Sequence, residues 1–370
     1  MQPHILLLDE GFMSGALTAA GLRDAGCRVT IVAGAGGRGA YDGHNIAWSL
    51  APRVGSPRYL DAIDRLVRQG AFDRVLPLTE PIQRLLWGAN LSWGERLFPL
   101  PTLTQRLLLD DKRQLAEAVA TRGVRVPAQR ALVHAHDIAA AVVELGLPMV
   151  VKGTRGRGGA ATRIVGSEAA AVRAVRRLCS AGVPSFAQRY VLGATYLVGG
   201  VFCDGRPLRL FAAAKLAQYP AATGPGARLR SVYDQQLLNA ARVVMHELAW
   251  SGIASLDFVR DAGGTYHFLE VNPRPWGSIA AAEQAGVDLY GPLAGLLAGE
   301  IPGVRLEFRD GVDSAVLPLA LLSPGAWRKP GALTAVLGSC RGAQGRIWRP
   351  AGQGIHLAHR LLRVARNWPR

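Results

Sequence analysis

The residues best placed to do chemistry lie in the run Ser255-Leu-Asp257-Phe-Val-Arg-Asp-Ala-Gly-Gly-Thr-Tyr-His-Phe-Leu-Glu270-Val-Asn272-Pro-Arg274. Two β-prone runs flank Asp261-Ala-Gly-Gly264, a hairpin turn. Strand side chains alternate faces, so Glu270 and Asn272 share one side. With that turn, Asp257 is expected to pair near Phe268 and join them, while Leu256, Phe258, Leu269 and Val271 form an apolar face suited to a core. Three oxygen-bearing side chains on one side suit a hard divalent cation such as Mg²⁺, which leaves positions for phosphate oxygens. Arg274 follows, with the planar fork that holds a phosphate or carboxylate. The competing reading is a solvated hairpin closed by an ordinary Asn-Pro terminator.

Four other segments carry chemistry-capable residues. In Pro148-Met-Val-Val-Lys152-Gly153-Thr-Arg-Gly156-Arg157-Gly158-Gly159 a β run delivers a lysine into a glycine-rich loop. Such loops bring backbone N–H groups close to phosphates, and the lysine adds a point charge. It is not a P-loop, because G-x-x-x-x-G-K-[ST] is absent, and a bare hairpin turn explains the glycines equally well. Asp111-Lys112 opens a helix and, alone, reads as a surface lysine. Gln188-Arg189-Tyr190-Val191-Leu192-Gly193 is either a hinge whose backbone reads a base edge or an edge strand. Lys215 precedes the small-residue loop Thr223-Gly224-Pro-Gly226, which either binds an anion or is a plain surface loop.

Composition sharpens this. Of 43 basic residues only four are lysine (Lys112, Lys152, Lys215 and Lys329), and three of these fall in the segments above. A chain so biased toward arginine keeps lysine where a compact ammonium is needed. The formal charge of +16 suits an anionic substrate; the basic residues are spread along the chain, without a nucleic-acid motif, so no specific nucleic acid is expected. Residues 305–370 are the exception, with eleven Lys/Arg against Glu307, Asp310 and Asp313. Cys27, Cys179, Cys203 and Cys340 show neither metal-site nor disulfide spacing. No apolar run is long enough for a membrane span, and the N-terminal run Ile5–Leu8 is too brief for a signal peptide, so a cytoplasmic location is expected. His134 and His136 read as loop surface residues.

The elements that must position these residues are α/β in character. Strands are expected over 4–9, 28–33 and 74–79, with helices over 15–25 and 59–69 between them, hence a parallel sheet with right-handed crossovers. The first strand is followed by Asp9-Glu10-Gly11-Phe12-Met13-Ser14-Gly15, not G-x-G-x-x-G, which disfavours a nicotinamide dehydrogenase. Pro99 and Pro101 mark a linker. Beyond it come one or two helices over 104–122, a strand pair over 148–165, a helix over 168–178, a β-rich stretch over 186–211, a helix over 233–249, the hairpin, and a small-residue helical segment over 273–299.

In this order the five segments resemble the ATP-grasp superfamily, and Phe268-Leu-Glu-Val-Asn-Pro-Arg-Pro-Trp-Gly-Ser278 is similar to the metal-binding end of its carboxylate–amine ligases. The resemblance implies an N-terminal Rossmann-like pre-ATP-grasp α/β domain (1–101), a two-subdomain ATP-grasp fold of α+β type (102–302, lid about 128–188, metal-binding part about 189–302), and a basic extension (303–370). It implies ATP with one or two Mg²⁺, Mn²⁺ being possible, and a small-molecule carboxylate and amine joined through an acyl phosphate. Lys112 and Lys152 would contact the phosphates, Arg157, Gly158 and Gly159 close over them, and Gln188, Tyr190 and Val191 hold the adenine. Lys215 would reach a phosphate, Asp257, Glu270 and Asn272 ligate the metal, and Arg274 stabilise the transferring group. Two positions depart from the family pattern: Gln188 replaces an acidic hinge residue, and Thr195 an acidic ribose-binding one, which weakens the expected nucleotide affinity.

Two other functions fit the same residues: a bicarbonate- or carbamate-using relative, and a nucleotide-binding regulator without turnover. A homodimer is possible. The run Ile355-His-Leu-Ala-His-Arg-Leu-Leu-Arg-Val-Ala-Arg-Asn-Trp368 has helical apolar spacing with a basic face, which suits either packing on the body or peripheral contact with a membrane.

Overall fold

The computed structural model describes residues 2–34, 47–134, 136–156, 161–219, 221, 223–317, 319–328 and 330–341. Its first sheet holds β1 (His4–Leu8), β2 (Arg28–Ala33), β3 (Ala47–Leu50) and β4 (Arg74–Pro77), all parallel, in the order β3-β2-β1-β4. The central strand β1 is apolar on both faces. Ile5 and Leu7 enter one core, and Leu6 and Leu8 enter another, as a strand covered on both sides requires. β1 stops one residue short of expectation because Asp9 turns its carboxylate back to accept the N–H groups of Gly11 and Phe12. The helix Glu80–Trp87, which follows β4, was not anticipated from the sequence; Thr79 precedes it, and Pro81 sits in its first turn, where a missing N–H costs nothing.

The second sheet is antiparallel, with β5 (Gln129–Leu132), β6 (Met149–Gly153), β7 (Thr162–Val165) and β8 (Ser185–Arg189) in the order β5-β8-β6-β7. Helices His136–Leu145 and Glu168–Ser180 supply its own small core, including Ile138, Leu145, Met149 and Val151. His136 therefore begins a helix rather than sitting in a loop, though its side chain is exposed as expected.

The third sheet holds β9 (Gly193–Cys203), β10 (Arg206–Gln218), β11 (Gly226–Ser231), β12 (Gly252–Asp261), β13 (Tyr266–Asn272) and β14 (Asp313–Ala315), in the order β13-β12-β9-β10-β11-β14. One face packs the helix Gln235–Leu248 through Leu238, Ala241 and Met245 against Val198, Phe202 and Leu256. The first sheet shares both of its cores with this one, so the two are packed neighbours, while the second sheet keeps a separate core.

The hairpin differs from expectation in register. Asp257 pairs with Glu270 rather than near Phe268, and Phe258 then pairs with Phe268. Leu269 is the extra residue of a β-bulge, which lets two successive residues, Leu269 and Glu270, face the same side. Leu269 thus leaves the apolar face assigned to it and lines a cavity, and Phe268 takes its place in the core.

Candidate active site

The β9, β12 and β13 registers build a polar floor in two rows. Gly199, Ser255 and Asn272 lie side by side, and in the next row come Leu197, Asp257 and Glu270. Side chains two apart share a face, so the oxygens of Asp257, Glu270 and Asn272 converge through strand pairing alone. Three ammonium groups approach this floor from three elements. Lys215 on β10 donates to Asp257 Oδ1 at 2.7 Å. Lys112 donates to Glu270 Oε2 at 2.5 Å and to the Gly156 carbonyl at 2.9 Å. It is held at its helix start by Asp111, which caps the N–H groups of Arg113 and Gln114. Lys152, buried on β6, comes from the second sheet.

The electrostatics follow from this crowding. Burial pushes the Lys152 ammonium down to about 8; Glu270 and Asp257 pull the other way and Lys112 adds to the fall. Burial by itself would raise the Glu270 carboxyl, but Lys112, Lys152 and Lys215 together hold it well below the usual carboxylate range. The cluster is therefore an anionic pair inside a cationic shell, set up for more negative charge than the protein supplies.

Above the floor, between the second and third sheets, opens a cavity of 310 Å³, at the small end of ligand sites. Lys152, Lys215, Asp257, Glu270, Asn272 and Arg274 line it. Gln188, Tyr190, Val191 and Thr195 line it as well. The structure thus brings together every described residue singled out above, with Lys112 joined through Glu270. Arg157, Gly158 and Gly159 lie outside the described residues. A larger hollow of 470 Å³ beside Phe72 and Trp93 has no such cluster, and its Arg68 and Trp93 are already engaged by Asp64.

Several site residues escaped sequence reasoning. Arg274 Nε lies 2.8 Å from Glu80 Oε1, and Gln83 Nε2 donates to the Pro273 carbonyl at 2.7 Å, so the first unit's helix fixes the end of β13. The hydroxyl of Thr195 donates to Gln218 Oε1 at 3.0 Å, and Gln218 Nε2 in turn donates to the Gly224 carbonyl, tying the cavity wall to the small-residue loop. Trp276 lies on Gly199, where a Cβ would stand 2.4 Å from the indole. Among the described residues, the buried Ser255 hydroxyl and the Trp276 indole N–H have no hydrogen-bond partner, and both line the cavity. Buried donors left unpaired are costly, and a bound acceptor relieves that cost.

These groups fit a nucleoside triphosphate with Mg²⁺. Two carboxylates and one amide are too few to enclose a cation, as suits an ion that shares its shell with phosphates and water, and no cluster of three or more His, Cys, Asp or Glu suited to a metal occurs among the described residues. The ammonium shell suits the phosphates, and the mixed polar and apolar wall around Gln188, Tyr190 and Val191 suits a base.

Residues 109–278 match the family model for the ATP-grasp domain. No curated protein matches the sequence. Among solved structures, the chain is similar to biotin carboxylase from Campylobacter jejuni, with 17% identity over 85% of this chain and 74% of that one, at a TM-score of 0.68. It is similar to N5-carboxyaminoimidazole synthetase from Staphylococcus aureus complexed with ADP, with 14% identity over 82% and 80% and a TM-score of 0.64. The L-amino acid ligase from Bacillus licheniformis follows the same pattern, with 16% identity over 82% and 78% and a TM-score of 0.59. At such identities the likeness establishes the fold, and the match to the ATP-grasp domain model covers residues 109–278.

Proposed function

We propose that this protein is an ATP- and Mg²⁺-dependent ligase that activates a carboxylate as an acyl phosphate and joins it to an amine. The observation that carries this reading is the convergence of Lys112, Lys152 and Lys215 on Asp257 and Glu270 at the floor of one cavity. Asp257, Glu270 and Asn272 would hold Mg²⁺, which when bound neutralises phosphate charge and fixes the phosphate oxygens. Lys152 and Lys215 place point charges against the phosphates, and Lys112 does so from the opposite side. Gln188 and the backbone at Tyr190 and Val191 take the adenine edge, and Thr195 with Gln218 meets the ribose. Arg157, Gly158 and Gly159, which lie outside the described residues, would by the family resemblance meet the phosphates.

The chemistry then balances in two steps. A carboxylate oxygen attacks the γ-phosphorus, the bond to the β-bridging oxygen breaks, and ADP leaves. The amine attacks the acyl carbon, loses a proton and expels phosphate. Arg274, held by Glu80, spreads charge from the transferring phosphoryl group, so positioning and fixed charge do most of the work.

The test is incubation with ATP, Mg²⁺, hydroxylamine and a panel of carboxylic acids. Hydroxamate from one of them identifies the acid. Turnover that needs bicarbonate assigns the protein to the carboxylating reading instead. Tight nucleotide binding with no phosphate release for any acid or for bicarbonate contradicts the ligase and leaves a regulator.

A further inference from the structure

Two buried donors in the cavity have nothing to donate to. Ser255 is 0% and Trp276 4% exposed, both line the cavity, and among the described residues neither the Ser255 hydroxyl nor the Trp276 indole N–H finds a partner. An orphan indole alone is weak evidence. The Trp250 indole N–H is equally unpaired, yet it sits in the core against Trp87 and does not line the cavity. What sets Trp276 apart is its neighbour. Ser255 pairs directly with Gly199, and the Trp276 ring covers Gly199, where a Cβ would stand 2.9 Å from Cε2, the ring atom that carries Nε1. Paired residues on adjacent strands hold their Cβ positions about 5 Å apart, so both donors lie over one strand pair, with no side chain at Gly199 to come between them.

Along β9, Thr195, Leu197 and Gly199 follow one another on one face. Asp257 and Glu270 fall level with Leu197, and Ser255 and Asn272 level with Gly199. Starting from the segment 188–193, the order is therefore Thr195, then the two carboxylates, then Ser255 with Trp276, each step about 7 Å. A nucleotide with its base at Gln188 and its phosphates at Glu270 brings its terminal phosphate up to these two donors. The group that attacks in line has to come from that far side. An indole N–H only donates, so the occupant presents an acceptor oxygen. Arg274 also lines the cavity and favours an anion there, while Asp257 and Glu270 are already bonded by Lys215 and Lys112.

We infer that Ser255 Oγ and Trp276 Nε1 form the subsite for one oxygen of the group to be phosphorylated, a planar carboxylate-type anion supplied either by a carboxylic acid or by bicarbonate. The inference deepens the proposed function and rests on the nucleotide reading of this cavity. The two donors hold the oxygen that does not attack. The other oxygen forms the new bond to the γ-phosphorus as the bond to the β-bridging oxygen breaks and ADP leaves. Binding thereby pairs two groups that are costly to leave buried and unpaired.

The test is the indole ¹H–¹⁵N spectrum of the full chain, which has eight tryptophans, at saturating Mg²⁺ and ADP. Formate, acetate and bicarbonate are titrated separately, with chloride as the ionic-strength control. Trp276→Phe, which keeps a ring over Gly199, identifies the Trp276 signal. That signal should move downfield and saturate with at least one of the three anions, and not with chloride, while the other indole signals stay in place. A response to formate or acetate assigns a carboxylic acid, and a response to bicarbonate alone assigns the carboxylating reaction. Ser255→Ala should weaken the responding anion roughly tenfold and leave ADP affinity, read by calorimetry, within about twofold. A Trp276 signal that ignores all three anions, one that moves equally with chloride, or unchanged anion affinity in Ser255→Ala overturns the subsite. Failure of Mg²⁺ and ADP to bind overturns the nucleotide reading and the subsite together, whereas normal ADP binding with a still Trp276 signal overturns the subsite alone.

Discussion

The two ends of the six-stranded sheet handle buried charge in opposite ways. At the β11–β14 end, Asp313 is gripped by two arginines. Arg230 makes two hydrogen bonds to it, at 2.7 and 2.9 Å. Arg228, nearly fully buried, donates to Asp313 Oδ2 at 2.8 Å and also to the carbonyls of Ala326 and Pro330. Both carboxylate oxygens are engaged, the forks are geometrically fixed, and nothing is left for a ligand. At the β12–β13 end, Asp257 and Glu270 meet lysines instead, Asp257 bonded by Lys215 and Glu270 by Lys112, beside an open cavity. A guanidinium fork clamps, whereas an ammonium is a point charge that can pass from a carboxylate to a phosphate with little rearrangement. At these two ends of the sheet, arginine builds the clamp and lysine meets the carboxylates of the candidate site, beside Arg274 at the end of β13.

The largest effect expected from this contrast is on catalysis. Glu270→Ala and Lys152→Ala should each lower hydroxamate formation about a thousandfold or more, with the fold intact by circular dichroism. Normal activity in either variant breaks the assignment. Arg228→Ala tests the other end. Removing one partner of a buried pair should cost about 3–5 kcal/mol, read as a lower denaturation midpoint, with little change in nucleotide affinity. The clamp also carries a pH signature. Burial pulls the Asp313 carboxyl up, but Arg230 and Arg228 outweigh this and hold it below its ordinary value. A depressed carboxylate stabilises the fold above its unfolded pKa, and that stability drains away as pH falls through the folded one. Wild type should therefore lose stability below about pH 4, and Asp313→Asn should show a shallower acid slope.

Lys152 gives the matching signature at the site. With its ammonium titrating near 8, kcat/KM for ATP should fall above about pH 8. Lys152→Arg, if active, should lose that limb, because arginine stays charged. An alkaline limb that persists in the arginine variant assigns it to another group. The smallest effect concerns the departures from the family pattern. Thr195→Asp should tighten ATP binding by about three- to tenfold, the worth of one added charged hydrogen bond to ribose. Unchanged affinity means the ribose lies elsewhere.

Much of this was legible in the sequence. The scarcity of lysine singled out three residues that the fold brings within one cluster, and the Asp257–Arg274 segment announced a hairpin with its oxygen donors on one face. Alternation gave the face but not the register, because the bulge at Leu269 is set by how Phe258 and Phe268 meet in the core, which no local signal encodes. The supports of the site were hidden for a related reason. Glu80 reaches Arg274 and Gln83 reaches Pro273 across about half the chain, and such contacts exist only once the first and third sheets share their cores. β3 was missed because four residues on an exposed edge carry too little pattern to read.

The central claim is that Asp257 and Glu270 hold a metal on which nucleotide binding depends. Calorimetric titration of ATP with and without Mg²⁺ tests it most directly, comparing wild type with Asp257→Asn/Glu270→Gln. We expect strong Mg²⁺ dependence in wild type and none in the double variant. The same Mg²⁺-dependent affinity in both proteins would contradict the account.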